Sequence, residues 1–141
     1  MPSSYTPLGV ELMVTGEQAG LWGDKTNTNL QIVSQISGGF TTQAVSGTGN
    51  TNITVNDGST GSALATRVIE LTGTITGAIT VSIPLDVENF YIIKNSTSGA
   101  FSVEFQYVSG SGTSVTWSST DKGTKILYAK ADDGTNPNIV D

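Results

Sequence analysis

The chain has 141 residues and a mass of 14.6 kDa, enough for one compact domain with a core of its own. Only 13% of its residues are charged, the net charge is −6, and the six basic residues are scattered. The clustered Lys and Arg that neutralise nucleic-acid phosphates or anionic membrane surfaces are therefore missing, and neither partner is expected. Cysteine and histidine are absent, which removes disulfides, thiolate metal sites, the commonest metal ligand and the commonest general base.

Hydroxyls take the place of charge: the chain carries 21 Thr and 16 Ser. Threonine is stiff at its branched Cβ and suits a pleated, half-buried surface, so this composition favours strands. No apolar run approaches the roughly 18 residues of a spanning helix. The first residues, Met1-Pro2-Ser3-Ser4-Tyr5, show neither a basic start nor an apolar stretch, so no secretory signal is expected.

Residues 1–14 read as an arm. Leu8, Val10, Leu12 and Val14 alternate with Gly9, Glu11 and Met13, which gives one apolar face if the segment is extended. Two readings stand side by side: a strand that completes the domain's own sheet, or an arm that docks on another subunit or protein. These four residues are assembly candidates.

Residues 15–39 hold a Trp-Gly segment and a helix placed near 25–37. Asp24 or Thr26 can cap its start, Leu30, Val33 and Ile36 fall three apart, and Gly38-Gly39 ends it. Trp22 is expected to act as a packing anchor beside the helix and is the fifth assembly candidate.

Residues 40–141 read as a series of strands near 40–45, 51–56, 66–72, 74–83, 90–95, 101–108, 113–118 and 124–130, with a short closing strand at Asn138-Ile139-Val140. Turn signals separate them, among them Ser46-Gly47-Thr48-Gly49-Asn50, Thr72-Gly73, Ser98-Gly99 and Ser109-Gly110-Ser111-Gly112. Strands at roughly 8–12-residue spacing with such punctuation predict an all-β fold. The expected form is an antiparallel β-sandwich or jelly-roll-like domain, with the N-terminal arm and one short helix attached. Arg67, Ile69 and Leu71 should face opposite to Val68, Glu70 and Thr72, and Phe101, Val103, Phe105 and Tyr107 should share a face.

Chemistry is sparse. Asp132, Asp133 and Asn136 offer oxygen ligands but lack the alternating spacing of a calcium loop, and read as a solvated turn. Glu17 and Asp24 flank the Trp-Gly segment, yet no sugar cleft accompanies them to make a glycosidase pair. Ser and Thr nucleophiles need an activating base, and no motif supplies one. No enzyme activity, catalytic residue, metal or cofactor is expected.

The run Gly16-Glu17-Gln18-Ala19-Gly20-Leu21-Trp22-Gly23-Asp24-Lys25-Thr26-Asn27-Thr28-Asn29 resembles a segment in structural proteins of tailed bacteriophages, especially phages of marine bacteria. The likeness sits at Gly16, Glu17, Ala19, Gly20, Trp22, Gly23, Thr26, Asn27 and Asn29; Gln18 departs from it, since Asn is usual there. Tyr91-Ile92-Ile93-Lys94-Asn95 is similar to their Tyr-Ile-Val-x-Asn strand, and Asp133-Gly134-Thr135-Asn136 with Ile139-Val140 to their usual ending. The resemblance implies a virion protein made in the bacterial cytoplasm. Its role would be that of a capsid-decoration or head-fibre protein, or of a small tail-fibre component. Its partners would be itself, as a homotrimer, and other virion proteins of capsid or tail. The alternative is a host-attachment module that binds surface carbohydrate, with Tyr107, Trp117 and Tyr128 as candidate glycan contacts.

Overall fold

A computed structural model describes residues 3–16 and 19–141 of the chain. Eleven strands and one helix appear among the described residues. The N-terminal segment carries β1 (Ser4–Tyr5) and β2 (Glu11–Leu12), paired antiparallel. Helix α1 (Trp22–Gly38) follows. Then come β3 (Phe40–Ala44), β4 (Gly47–Asn52), β5 (Val68–Thr72), β6 (Ile75–Ile83), β7 (Asn89–Asn95), β8 (Val103–Tyr107), β9 (Val115–Trp117), β10 (Thr124–Ala129) and β11 (Ile139–Val140).

Most strand positions agree with the sequence pattern. β4 does not, since Gly47–Asn52 occupies the turn expected at 46–50 and ends where a strand near 51–56 is expected. The pairing differs throughout. Successive strands alternate between two sheets: a five-stranded one in the order β11-β10-β7-β5-β3, and a four-stranded one in the order β4-β6-β8-β9. Within the first, β3, β5 and β7 run parallel; within the second, so do β4, β6 and β8. Only β7–β10, β10–β11 and β8–β9 are antiparallel in these two sheets. The expectation of an all-β antiparallel sandwich or jelly-roll-like domain is therefore corrected. Among the described residues the fold is mixed α/β, with three sheets, one α-helix and no closed barrel. Nor is the helix short, since α1 spans 17 residues.

The glycine-bearing punctuation explains the difference. Turns at 44–47, 72–75 and 95–99 do not fold the chain back on its own sheet. They are corners that carry it across to the other sheet, so the next strand on the first sheet arrives with the same direction. The corners stack through their backbones: Val45 N donates to Thr72 O, Gly47 N to Thr74 O, Ser98 N to Gly73 O and Ile75 N to Ser98 O, all within 3.0 Å. Such close stacking leaves no room for side chains at two positions. A Cβ at Gly73, whose φ is +113°, would meet the Val45 carbonyl, and one at Gly99, φ +115°, the Ile75 carbonyl.

Alternation along the strands fills the space between the sheets. Ile69, Leu71, Tyr91, Ile93 and Leu127 from one sheet meet Ile79, Val81, Val103, Phe105 and Trp117 from the other in one core. The Tyr91 and Phe105 rings touch across it in a tilted arrangement, 6.3 Å between centroids. Each fully buried Ile, Leu or Phe contributes about 1.5–3 kcal/mol. Buried hydroxyls find carbonyls: Tyr91 Oη donates to Leu64 O at 2.6 Å and Tyr107 Oη to Val87 O at 2.8 Å.

Helix α1 packs against a one-turn 3-10 segment, Ala63–Ala65, in the long β4–β5 crossover. Gln35 fixes the contact: its Nε2 donates to Ala65 O at 2.7 Å, and its Oε1 accepts from Gly61 N at 3.1 Å. Ile32 is fully buried and Ile36 half-buried, while Leu30 and Val33 stay exposed. The three-residue spacing of Leu30, Val33 and Ile36 thus does not define the buried face. The helix begins at Trp22 after Leu21, with no side-chain cap; Asp24 lies in its first turn. Gly39 ends it with extended rather than left-handed backbone, its N–H donating to Gln35 O at 2.7 Å.

Candidate docking surface

In the five-stranded sheet, residues that alternate with the core positions line the outer face. The register aligns Phe40, Val68, Ile92 and Ile126 in one row across four strands. Phe40 and Ile126 at its ends are 62% and 61% exposed. A second row joins Phe90, Tyr128 and Val140, all exposed. Beside it the Arg67 guanidinium stacks over the Phe90 ring, 3.7 Å from its centroid, and donates to Asn89 Oδ1 and Phe90 O. A third row, Thr42–Glu70–Lys94–Thr124, is polar and carries one charge of each sign. The chain of net charge −6 therefore presents a face that is apolar along two rows and nearly balanced in charge. Contiguous apolar surface of this kind marks interaction sites far more often than scattered single residues do.

A second apolar stripe lies on α1. Trp22, Leu30 and Val33 fall on one side of the helix, away from Ile32, and all three are exposed. Trp22 is 48% exposed at the first helical position, so its ring is not a core anchor within this chain.

The arm candidates do not form one extended apolar edge. Thr6, Pro7, Leu8 and Gly9 make a tight turn between β1 and β2, with Gly9 N donating to Thr6 O at 2.8 Å. Leu8 packs against the core, Val10 and Val14 are half-buried, and Leu12 is exposed. Asn29 of α1 grips this hairpin from both sides of one residue: Glu11 N donates to its Oδ1, and its Nδ2 donates to Glu11 O, each at 3.0 Å. Lys25 Nζ lies 3.5 Å from the buried Glu11 carboxylate. Gly58 N donates to Gly9 O and ties the turn to the crossover. Glu17 and Gln18 lie outside the described residues.

The three candidate glycan contacts do not gather. Trp117 is fully buried, with Nε1 donating to Gly123 O at 3.1 Å. Tyr107 is buried, and burial pushes its hydroxyl up to about 12. Tyr128 alone is exposed, in the second apolar row.

The acidic C-terminal turn is occupied by its own backbone. Asp132 accepts from Asn138 N at 2.9 Å and Asn138 Nδ2 at 3.1 Å, and Lys130 Nζ lies 3.2 Å away. These bonds, the backbone one foremost, lower the Asp132 carboxyl to about 2. Asp133 accepts from Thr135 N and Asn136 N, which lower its pKa too. An open cavity of about 400 Å³ nearby is lined by Pro7, Leu85, Asp86, Glu88, Ala131 and Gly134. Among the described residues no three Asp, Glu, His or Cys side chains gather as a metal site would require.

Sequence reasoning missed Phe40, Phe90, Ile126 and Val140 as surface candidates. In Lys125-Ile126-Leu127-Tyr128-Ala129 both faces of the strand are apolar, and alternation alone does not say which is outside. Comparison with family models, curated proteins and solved structures finds no match to this chain.

Proposed function

We propose that this chain is a non-enzymatic structural protein on the surface of a tailed-bacteriophage particle. It acts as a capsid-decoration or head-fibre protein, or as a small tail-fibre component, and docks on another virion protein. The observation that carries the docking role is the pair of exposed apolar rows on the outer sheet face, from Phe40 to Ile126 and from Phe90 to Val140. The particle assignment rests on the resemblance at Gly16–Asn29, Tyr91–Asn95 and the C-terminal turn. Self-association, three-fold by the same resemblance, belongs to this reading, because sites on a particle repeat by symmetry. The carbohydrate-binding alternative loses support, since Trp117 and Tyr107 are buried.

Quantitative mass spectrometry of purified particles tests the assignment: hundreds of copies indicate the capsid, a few to some tens the tail, and none ends the proposal. Binding of the pure protein to particles lacking it tests the surface. Ile126→Asp, at an exposed position, should leave the melt unchanged and weaken binding at least about tenfold, equivalent to roughly 1.4 kcal/mol. Undiminished binding would move the docking surface elsewhere.

A further inference from the structure

Each sheet stops at an edge strand at both ends, β3 and β4 at one end and β11 and β9 at the other. Among the described residues β3 and β4 each have a neighbour on one side only. Proteins blunt such edges with Lys, Pro, bulges or very short strands. β4 is blunted, because its register against β6 shifts between Gly47 and Gly49. β3, Phe40-Thr41-Thr42-Gln43-Ala44, has none of these devices: it is five residues long, regular in register, uncharged and free of proline. In a chain with twelve carboxylates that is an unprotected template for another strand.

The backbone of this edge is set to pair. Val68 N donates to Gly39 O and Val45 N to Thr72 O. Alternate residues of a parallel ladder turn their N–H and C=O to opposite sides. Gly39, Thr41, Gln43 and Val45 thus serve β5, and Phe40, Thr42 and Ala44 turn outward. The outward carbonyls of Thr42 and Ala44 meet side chains of their own strand, Thr41 Oγ1 at 3.4 Å and Gln43 Nε2 at 3.1 Å. These are local contacts on an exposed strand that an incoming N–H can replace. The inward side chains Thr41 and Gln43 are half-exposed and line an open groove of about 260 Å³ with Asn52, Asn56 and Ser62.

We infer that β3 is the site at which a second copy of this chain adds, antiparallel to itself, about a two-fold axis through Thr42. The sequence of the strand is its own complement in that register. Phe40 lies opposite Ala44 of the other copy, so the largest side chain meets the smallest. Thr41 lies opposite Gln43 and Thr42 opposite Thr42, and hydroxyls and amides both donate and accept. A two-fold axis sets like against like, which charged groups do not tolerate and these groups do. The absence of charge also spares two chains of net charge −6 from repulsion at the contact. This deepens the self-association proposed above and names its surface. Alone the contact makes a dimer; combined with a separate three-fold contact it makes a hexamer.

The test is size exclusion with light scattering on the full chain between 1 and 100 μM, together with amide hydrogen exchange. The wild type should form an even-numbered oligomer at high concentration, with slow exchange at the outward amides of Phe40, Thr42 and Ala44. Thr42→Lys sets two ammonium groups face to face across the axis and should raise the dissociation constant at least tenfold, with an unchanged circular dichroism spectrum. Thr116→Lys, exposed on β9 at the other end, should change neither. A wild-type monomer at 100 μM, or fast exchange at Thr42 in the wild-type oligomer, overturns the inference whatever the variants do. A trimer unaffected by Thr42→Lys overturns it too, while leaving the self-associating particle protein standing.

Discussion

The two ends of the winding treat their edges in opposite ways. At one end β9, β10 and β11 form antiparallel pairs, and Ile139 N donates to Thr113 O, just ahead of β9, closing one sheet against the other. The last strand there is only two residues long, and charges crowd around it. Lys125 lies 3.5 Å from Asp141 and 3.7 Å from Asp121, and Lys130 lies 3.2 Å from Asp132. At the other end β3 and β4 stop without a cap and without a charge. A short, charged edge is a poor template for a further strand; a long, uncharged one is a good template. The contrast separates the part of the molecule that secures the fold from the part left available for assembly.

The largest test of that contrast is at the closed end. Trp117 is the largest fully buried side chain, and Trp117→Ala should cost about 3–5 kcal/mol of stability in urea or thermal unfolding. A loss below about 1 kcal/mol would show that the closed end does not secure the core. Gln35→Ala tests the attachment of the helix. It strips a partner from Ala65 O in a part-buried contact and from Gly61 N in an exposed one, so a loss of about 1–3 kcal/mol is expected, with the sheets intact by circular dichroism.

Trp22→Ala should behave differently. The ring is half-exposed, so unfolding stability should change by less than about 1 kcal/mol while incorporation into particles falls. A large stability loss with normal incorporation would make Trp22 a packing residue after all.

The smallest effect concerns pH. Asp132 has a folded-state value of about 2 against 3.8 for the free carboxyl. A depressed value means its contribution is present above the unfolded value and is lost as pH falls through the folded one. Stability should therefore decline between pH 4 and 2, and Asp132→Asn should flatten part of that slope without altering stability at pH 7 by more than the local hydrogen bonds it rearranges. An unchanged slope would remove Asp132 from the acid response.

Several elements were legible in the sequence for simple reasons. Alternation in Arg67–Thr72 and Phe101–Tyr107 grouped the side chains by face, and Ile69, Leu71, Val103, Phe105 and Tyr107 are buried together. Phe101, 39% exposed, and Arg67, stacked on the exposed Phe90 ring, depart from their groups because each precedes the start of its strand. The helix end at Gly38-Gly39 and the strand end before Pro84 were visible as backbone punctuation. The surface was less legible. Strands such as Thr124–Ala129 are apolar on both faces, and α1 carries apolar residues on two sides, so no local pattern says which side meets solvent.

What the sequence determined by itself was where most strands and turns lie, because period-two alternation is a local property. The Gly-rich stretch Gly47–Asn52, read as a turn, became β4 through its pairing with β6. Only the tertiary structure decided how the strands pair. A strand alternates identically whether its neighbour is parallel or antiparallel, and a glycine turn serves as a hairpin or as a corner. At Gly73 and Gly99 the choice was made by the stacked corner carbonyls of Val45 and Ile75, which lie 28 and 24 residues away in the chain and in contact in the fold. Likewise, Ile32 rather than Leu30 became the buried face of α1 because Gln35 and Asn29 hold that side to the crossover and the hairpin. Those contacts exist only once distant segments meet, so no reading confined to neighbours along the chain contains them.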